Sequence, residues 1–130
     1  STRMSRGLLD ANAVLRYLLE DDEAKAGLVE EAIAEGAEVT IEVIAECVYV
    51  LEGVYGVPRG RVNESLLILL GEVSCERMDA ARSALSFYSA SKLDFVDCVL
   101  MAEHVLHGSE IVTFDKKLVA TMTRVDKAMA

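Results

Sequence analysis

Several things are scarce in this chain, and each scarcity closes off a class of protein. Among its 130 residues there is no tryptophan and a single proline, Pro58. Positive charge is short: 13 lysines and arginines stand against 22 aspartates and glutamates, a formal net charge of −9. That balance opposes nonspecific nucleic-acid binding, which depends on neutralising phosphates, and would suit a basic partner protein. No apolar run approaches the ~20 residues that span a bilayer; Leu66-Leu67-Ile68-Leu69-Leu70 is far too short. The N-terminal residues lead into no apolar segment of secretory-signal length. The three cysteines, Cys47, Cys75 and Cys98, are odd in number, widely spaced and set among apolar neighbours. They form no Cys-x-x-Cys pair, give no zinc pattern, and read as buried free thiols in a reducing compartment. The expectation is a soluble cytoplasmic protein without a membrane segment.

What is present points to one ordinary globular domain over residues 1–130 with one core. Hydrophobic residues make up 52% and charged residues 27%, which argues against disorder. Alanine, leucine and glutamate favour helix. Residues 6–9 read as a short buried strand ending at Asp10. A helix over 13–19 follows, with Asn12 as a plausible N-cap. Asp21 and Asp22 restart a helix over 23–35, closed by Gly36. Residues 38–41 read as a second strand and 42–55 as a helix broken by Gly56-Val57-Pro58. A fourth helix carries Val62, Leu66, Leu69 and Leu70. Residues 73–76 are a possible third strand, and 80–90 a helix. Asp94 caps a helix ending at His107 and Gly108. Residues 110–114 form the best-defined late strand, followed by a short helix over 116–122. Strands separated by helices predict an α/β fold: an α/β/α sandwich with a mainly parallel central sheet of four to five strands.

Four acids sit where packing or solubility explains them poorly. Asp10 closes the run Leu8-Leu9, Glu46 lies inside Val43-Ile44-Ala45-Glu46-Cys47-Val48, Asp97 lies inside Phe95-Val96-Asp97-Cys98-Val99, and Asp115 follows Ile111-Val112-Thr113-Phe114. In a parallel sheet covered by helices, ligands bind beyond the carboxyl ends of the strands, where all four can point at one edge. Two carboxylates ~4 Å apart repel by ~1 kcal/mol in water and ~4 kcal/mol at an effective dielectric of ~20. A hard divalent cation, Mg²⁺ or Mn²⁺, is the usual way to hold such a cluster, because both prefer oxygen ligands. The chemistry indicated is metal-dependent phosphoryl transfer to water. Each acid also has a plainer reading: Asp10 and Asp115 as helix caps, Glu46 as a solvent-facing partner of Glu42, Asp94 as an N-cap with Asp97 at the third helical position. His104 and His107, three apart on a helix, do not suit an oxygen-seeking ion, and His107 fits a helix C-terminus.

The blocks that carry these acids are also familiar. Leu9-Asp10-Ala11-Asn12-Ala13-Val14-Leu15-Arg16-Tyr17-Leu18-Leu19-Glu20-Asp21-Asp22 resembles the opening of PIN-domain proteins, specifically VapC-type toxins of toxin–antitoxin pairs. Ile44-Ala45-Glu46-Cys47-Val48-Tyr49-Val50-Leu51 with Val54-Tyr55-Gly56 resembles the second block of that family. Leu93-Asp94-Phe95-Val96-Asp97 and Val112-Thr113-Phe114-Asp115-Lys116-Lys117-Leu118 resemble the third and fourth. No block is specific alone; all four in order are. The resemblance implies a metal-dependent endoribonuclease acting on structured cellular RNA, tRNA or rRNA. It maps the acidic quartet onto Asp10, Glu46, Asp97 and Asp115, with Asp10, Asp97 and Asp115 as metal ligands. Asn12, Thr113 and Asp94 become neighbours of the metal or substrate. It further implies a homodimer and a cognate antitoxin protein that blocks the site. The products would carry a 5′-phosphate and a 3′-hydroxyl. Ala11 departs from the family, which more often has threonine or serine there.

Three other readings compete. A haloacid-dehalogenase-like phosphatase needs a second acid where Asn12 stands. A response-regulator receiver needs paired acids after its first strand. A catalytically inactive PIN-like interaction module would keep the fold and lose the reaction. Lys116 and Lys117 read equally as phosphate contacts or a solvated helix face. Arg16, Lys25, Arg59, Arg61 and Lys92 are too dispersed in sequence to reveal whether they gather. The apolar helices around Val50-Leu51 and Leu66–Leu70 read either as core or as a groove for an antitoxin helix.

Overall fold

The computed structural model describes residues 7–130. Seven helices make up nearly all of its regular structure: α1 (Ala11–Leu19), α2 (Glu23–Ala34), α3 (Ile41–Gly53), α4 (Arg59–Leu70), α5 (Met78–Ala90), α6 (Phe95–His107) and α7 (Lys116–Met129). Each falls where the sequence pattern places a helix. The last is a full turn and more longer than expected, and α5 starts two residues earlier.

The expected parallel sheet is not formed among the described residues. Two isolated parallel bridges stand in its place, Leu8 to Glu38 and Glu38 to Ser74. They rest on Leu9 N–H to the Glu38 carbonyl (2.9 Å), Glu38 N–H to Gly7 (2.7 Å), Val39 N–H to Ser74 (2.9 Å) and Ser74 N–H to Ala37 (3.1 Å). Three of the four predicted strand segments therefore do lie side by side and parallel, but none grows into a strand. The reason is that helices begin at once. Asp10 already caps α1 and Thr40 already caps α3, so each segment has only two or three residues free to pair. The start of the first predicted strand, Arg6, lies outside the described residues. The fourth predicted strand fails differently. Residues 110–114 make no bridge, and Val112 and Phe114 are almost fully exposed, at 86% and 99%. β-propensity describes a surface that suits a pleated neighbour, and this segment has no such neighbour.

The core belongs to the helices. On α1, Ala11, Val14 and Leu15 are buried at helical spacing. Ile44, Cys47, Val48 and Leu51 do the same on α3, and Phe95, Cys98, Met101 and Ala102 on α6. Leu66, Leu69 and Leu70 of α4 are fully buried, so packing accounts for most of the run that could have been a groove; Ile68 remains exposed. Helix α5 packs along both α4 and α6, while α3 touches α1, α4, α5 and α6 and so sits at the centre. Helix α6 stops where Gly108 turns left-handed (φ 68°) and its N–H bonds the His104 carbonyl. No helix among the described residues is long and apolar enough to cross a membrane.

Candidate active site

Asp10, Asp94, Asp97 and Asp115 occupy the N-termini of helices, and Glu46 lies one turn further in. Asp10 has extended backbone (φ −85°, ψ 175°), and its Oδ1 accepts the Ala13 N–H at 2.8 Å. It, not Asn12, is the N-cap of α1. Asn12 lies one residue inside the helix and is exposed. Asp115 caps α7, its Oδ1 accepting from Lys117 N–H (2.9 Å) and Leu118 N–H (3.1 Å). Thr113 supports that cap: its Oγ1 accepts the Asp115 N–H at 3.0 Å. These caps fix each carboxylate at the positive end of a helix, which favours negative charge there.

Asp94 holds the N-cap position of α6 but makes no side-chain cap bond. Its carboxylate is left uncommitted beside Asp97, which stands at the third helical position and is half-buried. Burial holds the Asp97 carboxyl above the usual range, and the charges of Asp115 and then Asp94 push it further the same way. These three acids are thus within electrostatic reach of one another. Glu46 is exposed one turn into α3. Its neighbour Cys47 reports what surrounds it: burial first, then Glu46, then Asp10, push that thiol up to about 12. Asp10 and Glu46 therefore share a neighbourhood on α1 and α3, while Asp94, Asp97 and Asp115 share one on α6 and α7. Helix α3 packs against α6 and links the two. The quartet does not close into one cluster: among the described residues no three acidic, histidine or cysteine side chains stand together closely enough to hold an ion. The donor chemistry nevertheless fits a hard cation. The acids present oxygen only, and Asp97 is disfavoured as an anion by burial first and then by Asp115 and Asp94.

A cavity of about 450 Å³ opens beside Asp94 and Asp97. Ala45, Val48, Tyr49 and Glu52 of α3, with Arg59, Tyr88, Phe95 and Val96, complete its wall. Arg59 organises that wall. Its Nη1 donates to the carbonyls of Tyr88 (3.1 Å), Ser91 (3.0 Å) and Leu93 (2.8 Å), its Nε donates to Glu52 at 3.3 Å, and its guanidinium lies 4.2 Å from the Tyr88 ring centre. The Tyr88 hydroxyl donates to the other Glu52 oxygen. Burial and Glu52 push the Tyr88 hydroxyl up, so it stays protonated. Arg59 thereby ties the turn that leads into α6 and sets where Asp94 and Asp97 begin. Its sequence gave no sign of this, because the carbonyls it binds are 29 to 34 residues away.

The two histidines bind carboxylates. His104 pairs with Asp126 of α7 at 2.9 Å, and His107 with Glu103 (2.6 Å) and Asp79 of α5 (3.0 Å). Of the cysteines, Cys47 and Cys98 are buried and Cys75 half-buried, all free.

The family model described as the PIN domain matches residues 7–125, which is most of the chain and includes every acid of the site. No curated protein and no solved structure matched the chain.

Proposed function

The chain belongs to the PIN-domain family, and from that premise we propose that it is a metal-dependent endoribonuclease, the VapC-type toxin of a toxin–antitoxin pair. Membership itself supports a nuclease-like fold and a hydrolase of the nuclease kind, acting on RNA or another nucleic acid. It sets aside the haloacid-dehalogenase-like and receiver readings. The finer reading rests on one observation above others: Asp97 is half-buried within reach of two further aspartates, an arrangement that raises its own energy unless a cation is shared.

In this reading Asp10, Asp97 and Asp115 hold Mg²⁺ or Mn²⁺ and Glu46 completes the acidic set. A bound divalent cation supplies Lewis-acid activation of water and neutralises charge at the phosphate. The rest is done by the chain. Asp10 and Asp115 are held at two helix N-termini by cap bonds to one carboxylate oxygen each. Thr113 spends its lone pair on the Asp115 N–H and keeps its hydroxyl proton for a carboxylate or phosphate oxygen. Asn12, two residues beyond the first cap, orients what Asp10 binds. Hydrolysis forms a water O–P bond and breaks the bond from phosphorus to O3′, leaving a 5′-phosphate and a 3′-hydroxyl. The exposed apolar side chains Tyr49, Val54, Tyr55 and Ile68 favour a homodimer and a docked antitoxin segment. The substrate in this reading is tRNA or rRNA in the cytoplasm.

The test is cleavage of total cellular RNA by the purified protein in Mg²⁺ or Mn²⁺, with EDTA and Asp97→Asn as controls. Discrete fragments lost in both controls are expected. Metal binding without cleavage of any RNA would instead favour the interaction-only PIN-like module.

A further inference from the structure

We propose that the cleft between the C-terminal end of α5 and helices α6 and α7 is the binding track for the sugar–phosphate backbone of single-stranded RNA. This deepens the ribonuclease reading and rests on it for the identity of the polymer. The cleft has a volume of about 520 Å³. Its cations are Lys92, Lys117 and Arg124, and no carboxylate is among its lining residues. In a chain with 22 acids and 13 lysines and arginines, that segregation is the reverse of what composition leads one to expect.

The three cations are also uncommitted. None makes an ion pair with any described carboxylate, which they share with Arg61, Arg82, Lys116 and Lys127, whereas Arg16, Lys25, Arg59 and Arg77 are paired; what sets the three apart is that they line one cleft. Lys117 and Arg124 lie seven residues apart on α7, hence on one face and about 10 Å apart along the axis. Arg124 is pre-aimed: its Nη2 donates to the Thr121 hydroxyl, which itself donates to the Lys117 carbonyl. Phe87, Met101 and Val125 supply an apolar floor between the charges. A cationic rim over an apolar floor suits a polymer with phosphates on its edge and bases at its centre.

The location joins this cleft to the acids. Residues 91–93 line the cationic cleft, and residues 94–97 line the acidic cavity. Lys117 belongs to the cleft while its own N–H binds Asp115. A strand held by the rim therefore runs toward Asp97 and Asp115. The same juxtaposition answers the objection raised by a net charge of −9, since nucleic-acid binding needs a local positive strip and not a positive molecule.

The probe is a short fluorescein-labelled single-stranded RNA, followed by anisotropy in EDTA across a salt series. The proteins are the full chain, the triple variant Lys92→Gln/Lys117→Gln/Arg124→Gln, and the pair Arg61→Gln/Arg82→Gln as an off-cleft charge control. All three cleft residues are exposed, so the fold should survive, and circular dichroism checks it. Losing three phosphate contacts should weaken binding at least about tenfold and flatten the log–log salt slope by about 2. The control pair should shift binding by far less. Equal effects of the two variants, or displacement of the RNA by polyglutamate with matching cleft dependence, would overturn the track. Cleavage of the same RNA in Mg²⁺ separates the two claims. Cleavage that is intact while binding ignores the triple variant overturns the track alone. Cleft-dependent binding with no cleavage in any metal overturns the nuclease and leaves the track.

Discussion

The two sides of residues 91–97 carry opposite charge. On one side, Lys92, Lys117 and Arg124 line a cleft without a carboxylate. On the other, Glu52, Asp94 and Asp97 line a cavity whose one cation, Arg59, is engaged by Glu52 and three carbonyls. A single short turn thus divides unpaired positive charge from uncompensated negative charge. Such a division costs the exposed cations little and the half-buried Asp97 more, because burial and then its neighbouring carboxylates disfavour its anion. It has a use if one molecule supplies both partners: phosphates for the cations, and a cation with its phosphate for the carboxylates.

The comparison can be broken most severely on the acidic side. Asp97→Asn should reduce RNA cleavage by about a thousandfold or more, since metal-assisted charge stabilisation is worth several kcal/mol and each 1.36 kcal/mol is tenfold. A single-turnover assay in Mn²⁺ measures it. Next is the turn that separates the two sides. Arg59→Ala removes three carbonyl bonds and an ion pair and leaves Glu52 beside Tyr88 without its cation. The expected loss is about 3 kcal/mol in urea unfolding, with a smaller drop in cleavage than Asp97→Asn gives. Arg59→Lys should recover only part of it, because an ammonium cannot serve the forked set of acceptors.

A third test turns on sign. The Asp97 carboxyl is held above its unfolded value, so its ionisation opposes folding, and stability falls as pH rises through the unfolded toward the folded value. In EDTA near neutral pH, Asp97→Asn should therefore raise Tm, although the same variant loses cleavage in Mn²⁺. A fall in Tm would mean that Asp97 is a structural acid. The smallest effect lies away from both cavities. His104 is held above its ordinary value first by the Ser109 carbonyl and then by Asp126, which ties α6 to α7. A raised histidine stabilises fully below its unfolded value near 6.5 and loses that contribution as pH rises through the folded value. The drop in Tm caused by Asp126→Asn should be larger at about pH 6 than at about pH 8.

Reading the sequence located the helices well and the sheet poorly, for a physical reason. Helix positions are written in local patterns, such as Val14 and Leu15 beside Asp10, or Phe95, Cys98 and Met101 after Asp94. A strand exists only through its neighbour. Residues 110–114 carry β-branched and aromatic side chains in plenty, yet Val112 and Phe114 face solvent with nothing to pair with. The candidate acids were legible because a carboxylate amid apolar residues stands out locally. Their sorting into Asp10 with Glu46, and Asp94 with Asp97 and Asp115, was not, since it depends on how α3 meets α6. The sequence offers both Asn12 and Asp10 as caps of the first helix, and only the helix start at Ala11 decides for Asp10. Arg59 and Arg124 left no mark, since their roles are set by partners across the fold or by the lack of any.

The most direct test is calorimetric titration of Mn²⁺ into the metal-free protein and into Asp97→Asn. Binding to the wild-type chain should disappear in the variant, and only the wild type should show a rise in Tm on adding Mn²⁺. Equal binding by both proteins, or binding by neither, would contradict the claim that Asp97 helps to hold a divalent cation.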